Sequence, residues 1–255
     1  MYKQLVAEDF RKFHGLASDY QVDGMFVVGT WDEDKELERL WRVLDGQPVT
    51  ITRLQDRFLS RGYEVVLGNK RIWFFVVYGG TLLSEYLHVG CMLGSKINIL
   101  SGVCGGLVPG GRVGDIILPT HATSDGTTAT MYDRSHQGLQ PSDDVTRESL
   151  ELWLADNGAQ NIRQGKTVTC QAMLAETAED IAAWSGQGFL GVEMEASTVF
   201  AVSNHFGVPS AAVLSIADNL IEEQTVLHEN YEDTRAEREA VRDLQFRAAL
   251  HQLAK

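Results

Sequence analysis

Apolar residues along this chain fall into two alternating patterns. Compact apolar runs that end in glycine, MFVVG (25–29), YEVVLG (63–68) and RIWFFVVYGG (71–80), predict strands. Stretches with apolar residues at every third or fourth position predict helices. In DEDKELERLWRVL (32–44), Leu37, Leu40, Trp41 and Leu44 recur at that spacing, and Asp32 stands where a cap belongs. A surface helix is predicted ahead of the first strand, over AEDFRKFHGL.

The alternation continues to the C-terminus. TLLSEYLHVGCML (81–93) reads as a helix entered through Gly79 and Gly80. KINILSGVCGGL (96–107) reads as a buried strand ending in a glycine-rich bend, and VGDIILPTHAT (113–123) as another strand. Then come a helix over DDVTRESLELWLADNG, a strand over GKTVTCQAML (165–174) and a short helix with a Thr cap and a Gly stop over TAEDIAAWSGQG. FLGVEME (189–195, strand), ASTVFAVSNHFG (helix), VPSAAVLSIADN (208–219, strand) and a long helix from about Tyr231 complete the order. Strands alternating with helices predict an α/β fold with parallel pairing and helices on both faces of the sheet, three layers in all. No linker, repeat or low-complexity stretch divides the chain, so one domain over 1–255 is expected.

Composition narrows the partners. A net charge of −13 opposes nucleic acid and anionic membranes. No stretch reaches the roughly 18 apolar residues of a membrane span, and MYKQLVAEDFRKFHG lacks the apolar core of a signal peptide. The three cysteines, Cys91, Cys104 and Cys170, form no CxxC pair, and the seven histidines show no paired ligand spacing. A reduced, cytoplasmic protein without metal is expected. GGLVPGG lacks both GxGxxG and the lysine of a nucleotide loop, so no dinucleotide or other cofactor is expected.

The candidate chemistry lies at strand ends, where open α/β sheets bind ligands. GVEMEAS (191–197) sets Glu193 and Glu195 after an apolar stretch, and a buried unpaired acid costs several kcal/mol. SGVCGG and SIADN likewise put glycines or an acid where an apolar strand stops.

Together NILSGVCGGLVPGGRVGDIILP, GVEMEAS and GVPSAAVLSIADNL, in this order and spacing, resemble the purine nucleoside phosphorylase, uridine phosphorylase and methylthioadenosine nucleosidase superfamily. The likeness runs from about Gly24 to about Asn219. It implies a mixed, mostly parallel sheet partly closed into a barrel, a homodimer or a hexamer built from dimers, and cleavage of a nucleoside's N-glycosidic bond by phosphate or by water. It puts Met194 and Glu195 on the ribose-binding pair, Glu193 on the preceding acid of that motif, and Met173 against the base. It puts Asp218 where an aspartate assists the departing base, and Gly102 and Val103 in the glycine bend that borders the nucleophile.

Departures from the pattern select between the two nucleophiles. The phosphorylase pattern has an arginine two residues before Gly102, where this chain has Leu100, and a Ser or Thr where it has Val103. The early GDPxR is replaced by VGTWDED. Each lost charge-assisted contact would cost about 1.5–3 kcal/mol of anion binding. Arg53, Arg57 or Arg61 could supply a substitute cation. GTWDED looks instead like the nucleosidase version GAMEEE, in which one acid orients the attacking water. Spacing from Gly29 points to Asp34, then Glu33. The polar loop 124–134 resembles a segment bordering the active site. The expected function is hydrolysis of a purine-type nucleoside, with Asp218, Asp34 and Glu33 as catalytic candidates. The alternatives are phosphorolysis at an atypical phosphate site and nucleoside binding without turnover. Ala217, where the family often has Ser, keeps the last one open.

Overall fold

The computed structural model describes residues 4–55, 59–123, 126–133, 138–222, 225, 227 and 231–255. Its ten-stranded mixed sheet is centred on β5 (Asn98–Gly106), with β1 (Gly24–Gly29) and β10 (Ser210–Asn219) parallel to it on either side. Beyond β1 lie β4 (Lys70–Val77), β3 (Gly62–Leu67) and the edge strand β2 (Val49–Arg53). Beyond β10 lie β6 (Ile116–Thr123), β8 (Ile162–Thr169) and β9 (Gly191–Glu193), with β7 (Leu139–Pro141) paired to β6. Because β9 also pairs with β5, strands β5, β10, β6, β8 and β9 close into a barrel.

Strand alternation sorts the core into two faces. Met25 and Val27 of β1 point to one side, where α3 (Gly80–Met92) and α6 (Ala196–Phe206) bring Leu83, Leu87, Val199 and Phe200. Phe26 and Val28 point to the other, against Leu40 of α2 (Glu33–Val43), Leu150 of α4 (Asp144–Asp156) and Phe246 and Leu253 of α7 (Arg235–Leu253). The uninterrupted apolar run at 25–28 thus follows from burial on both faces. The remaining helices, α1 (Ala7–Phe13) and α5 (Ala178–Gly186), lie nearer the surface and bury no residue fully.

Helix ends follow local chemistry. The Asp32 side chain accepts from Lys35 N at 3.1 Å and caps α2. Thr177 and Asp180 form a reciprocal capping box on α5.

Several elements differ from the sequence expectation. β2 and β7 were not predicted. The strand expected over 165–174 begins earlier and stops at Thr169, so Met173 sits in a 3-10 turn, Met173–Ala175. The strand expected over 189–195 covers only Gly191–Glu193, which leaves Met194 and Glu195 beyond its end. The last helix starts at Arg235, after a separate turn at Tyr231–Thr234.

Candidate active site

The carboxyl ends of β1, β5, β9 and β10 converge on a cavity of about 320 Å³. Gly29, Cys104, Gly105, Glu193, Met194, Glu195, Ala217 and Asp218 all line it. The motifs at residues 102–106, 191–197 and 215–219, far apart in sequence, therefore meet at one place.

The two acids of GVEMEAS divide into structural and available groups. Glu193 is 4% exposed, and both its oxygens are engaged. Oε1 accepts from the Thr169 hydroxyl at 2.5 Å, and Oε2 accepts from the amides of Glu195 and Ala196 at 2.7 and 2.6 Å. It thereby satisfies N–H groups at the start of α6 that have no partner within the helix. Burial lifts its pKa to about 7, and those three donors hold it back from rising further.

Glu195 is 5% exposed and holds a different position. Its Oε1 accepts from Gly79 N at 2.6 Å, and Oε2 lies over Gly29. Burial first, and then the neighbouring Glu193, push its pKa up to about 8, against the lowering effect of the Gly79 and Met194 amides. Glycine is required beneath it, because a Cβ at position 29 would come 2.5 Å from Oε2. Gly29→Ala should therefore displace the carboxylate and lower kcat/KM about 10- to 100-fold, with only a few degrees lost in melting temperature. Unchanged kcat/KM in this variant would mean that the carboxylate is not needed where it sits.

Asp218 reaches the cavity through a β-bulge. The register of β10 against β5 slips between Ile216 and Asp218, leaving Ala217 as the extra residue, and both Ala217 and Asp218 line the wall. Met173, Cys170, Glu176 and Leu220 line the cavity with them. The Cys170 thiol donates to Glu176 Oε1 at 3.0 Å. Burial raises the pKa of both groups, so Cys170 is held as the thiol. Trp31 and Tyr78, both exposed, pack edge to face at 5.0 Å where the cavity opens.

Other expected residues lie elsewhere. Val103 lines the cavity, whereas Gly102 does not: its carbonyl accepts from Gln245 Nε2 at 3.0 Å. Leu100 is fully buried in the core. Glu33 and Asp34 are not brought to Glu195 and Asp218. Glu33 binds Arg53 and the Tyr63 hydroxyl and faces a second cavity, of about 500 Å³, that also contains Arg61. Asp34 is solvent-exposed. The cause is helical phase. Once α2 starts at Glu33, the row facing the cavity is Asp32, Glu36 and Arg39, and positions 33 and 34 turn away by about 100° and 200°. In the loop 124–134, Ser124, Asp125 and Arg134 lie outside the described residues, as does Arg57. The described part of the loop packs on the starts of α3 and α6, through Thr128 to Thr81 at 3.5 Å and Thr127 to Ser197 at 3.3 Å.

The cavity wall formed by α2 and α7 was not anticipated. Lys35, Glu36, Arg39, Arg238, Glu239 and Arg242 line it. Arg39 donates to Glu36, Glu239 and Asp243. Burial works against its charge, but Glu36 and Glu239 prevail and raise its pKa. Lys35 pairs with Glu239 at 2.8 Å, and Arg242 pairs with Glu36 at 3.2 Å. The detectable signal was a polar residue inside an apolar stripe, since Arg242 shares the buried face of α7 with Phe246, Ala249 and Leu253. Among the described residues no cluster of His, Cys, Asp and Glu could hold a metal ion, and no helix is long and apolar enough to cross a membrane.

Known proteins share this fold and part of this sequence. Residues 79–248 match the model of a family described as the phosphorylase superfamily. A guanosine phosphorylase of Halorubrum lacusprofundi is 26% identical over 192 residues, 70% of this chain and 78% of that protein. A DeoD-type purine nucleoside phosphorylase of Xenorhabdus nematophila is 25% identical over 202 residues, 73% of this chain and 84% of that protein. Among solved structures, a uridine phosphorylase of Vibrio fischeri superposes with a TM-score of 0.74 at 19% identity, covering 94% of each chain. A 5'-methylthioadenosine/S-adenosylhomocysteine nucleosidase of Helicobacter pylori gives 0.69 at 17% identity, covering 92% of this chain and 99% of that one. At these identities the structural likeness establishes the fold, and both phosphorylases and nucleosidases carry it.

Proposed function

The chain belongs to the phosphorylase superfamily, and from that premise we propose that it is a nucleosidase, cleaving a purine-type nucleoside with water to free base and ribose. In this reading Glu195 accepts hydrogen bonds from the sugar hydroxyls, with Met194 beside it. As the C1′–N bond breaks, positive charge grows on the sugar, and the Glu195 carboxylate stabilises it. The base lies against Met173, Ala217 and Leu220, with Asp218 assisting its departure. Glu176 supplies a second acceptor at that end, which suits a base whose edge carries N–H donors. Glu36, which lines the cavity from α2 where Glu33 and Asp34 do not, takes the role of the acid beside the nucleophile in this reading.

The observation that carries hydrolysis over phosphorolysis is the charge state of the nucleophile wall. Leu100 is buried where a strand arginine would offer a free cation, and Arg39, Arg242 and Lys35 are already paired with carboxylates, while Arg238 donates to the Tyr231 carbonyl and the Thr234 hydroxyl and reaches Glu232 only at 4.0 Å. Phosphate would have to displace the carboxylate partners of those three residues. Two cations favour the phosphorolytic alternative: the guanidinium groups of Arg238 and Arg242 both border the cavity.

The two are separated by incubating the protein with purine nucleosides, including 5′-substituted ones, with and without phosphate. Free ribose formed at the same rate in both is expected. Strict phosphate dependence with ribose 1-phosphate as product would overturn the proposal. Thermal stabilisation by nucleosides without turnover would favour a binding protein.

A further inference from the structure

Arg242 is 5% exposed and Glu36 is 4% exposed, although both border the cavity. Their contacts form a two-sided clamp on one carboxylate. Arg242 Nη2 donates to Glu36 Oε1 at 3.2 Å, and Arg39 Nε donates to Oε2 at 2.9 Å. Each guanidinium is anchored behind the carboxylate. Arg242 Nη1 donates to Gln245 Oε1 at 3.2 Å and to Ser101 Oγ at 3.4 Å. Gln245 Nε2 in turn holds the carbonyls of Gly102 and Val213 at 3.0 and 3.1 Å, which ties the clamp to β5 and β10. Arg39 is fixed from α7 by Glu239 and Asp243.

Such an arrangement is a poor stabiliser. Removing two charges from water costs more than their attraction commonly returns, and an apolar pair of similar volume often serves the fold as well or better. What the clamp supplies is a carboxylate held in a single orientation at the cavity wall.

We propose that Arg242, acting from the C-terminal helix together with Arg39, is a positioning residue that holds Glu36 to accept the proton of the attacking water. The inference rests on the hydrolytic reading given above. In the step, the water oxygen bonds to C1′ as the C1′–N bond breaks. The bonding pair leaves with the base, which takes a proton from Asp218. Glu36 takes the water proton, and the two acids re-equilibrate through solvent, so that nucleoside and water become base and ribose.

The test is a double-mutant cycle on the full chain with Glu36→Gln, Arg242→Gln and the pair, reading kcat, KM and melting temperature. Arg242→Gln should lower kcat about 30- to 100-fold with KM changed less than about threefold. In the Glu36→Gln background the same change should cost less than about twofold. Arg242→Lys should recover only part of the rate, because an ammonium cannot reproduce the guanidinium fork, and its milder chemistry keeps the test alive if Arg242→Gln fails to fold. The apolar pair Glu36→Leu with Arg242→Met should fold with nearly the parent melting temperature and lack turnover. Independent losses in the cycle, wild-type kcat in Arg242→Gln, or an active apolar pair would each overturn the proposal. A raised KM for phosphate in Arg242→Gln that is absent in Glu36→Gln would also overturn it, marking Arg242 as an anion ligand. Product identity, ribose against ribose 1-phosphate, reports separately on the hydrolytic reading.

Discussion

Asp218→Asn is expected to lower kcat on a purine nucleoside about 1000-fold while changing ligand affinity less than about threefold. Asparagine is nearly isosteric and keeps a donor and an acceptor, so the bulge at Ala217 and the shape of the wall should survive. It cannot give up a proton. The base must then leave as an anion, and general acid assistance worth about 100- to 10,000-fold is lost. The discriminating substrate is nitrophenyl riboside, whose leaving group needs no proton. On it the variant should retain turnover within about tenfold of the parent. Equal losses on both substrates would mean that Asp218 supports binding or local structure rather than departure of the base. Steady-state rates on the two substrates, with thermal shift for affinity, decide between these outcomes.

What could be read from the chain followed the range of the interactions involved. β1 and β4 were readable because burial on both faces demands uninterrupted apolar residues. The start of α2 was readable because its cap is local, Asp32 to Lys35. β2 was missed because an edge strand of five residues, VTITR, is largely exposed and needs no apolar run. β7 was missed because three residues ending in Pro141 have no period. The strand expected through Met173 overran because apolar residues continue after Thr169, while the chain turns to put Cys170 and Met173 on the cavity.

The candidate site divides in the same way. Glu195 and Asp218, which line the cavity, could be singled out because acids that directly follow buried strands are conspicuous. Glu36 lines the cavity where Glu33 and Asp34 do not, and counting from Gly29 cannot show this because it ignores the phase set by the helix start. Arg242 was missed because its partner on α2 lies about two hundred positions away, and no local pattern encodes that pairing.

Glu195→Gln should abolish most activity and stabilise the protein at alkaline pH. The carboxylate ionises only at about pH 8 in the folded, unliganded chain, against 4.5 as the reference for an unburied glutamate. Between those values the folded state holds a proton that the unfolded state has released. The stabilisation linked to this group is therefore complete below about pH 4.5 and is lost as pH rises through about 8. At roughly 1.4 kcal/mol per unit, the ionised form at pH 9 costs on the order of 5 kcal/mol. Glutamine removes that cost and can still accept from Gly79 N, so the variant should melt about 5–10 °C above the parent at pH 9, with the gap closing toward pH 5. Activity should move the opposite way. Neutral glutamine cannot offset positive charge at C1′, and kcat/KM should fall about 1000-fold. In the parent, the ascending limb of kcat/KM should lie near pH 8, and this limb should disappear in the variant. Matching melting curves at pH 9 would mean that the fold does not strain against this charge. An ascending limb that persists in the variant would assign it to another group, and Glu193, at about 7, would be next to examine. A buried acid after an apolar strand is thus a costly feature for the fold, and opposite responses of stability and rate to one substitution are the signature expected if the site uses it.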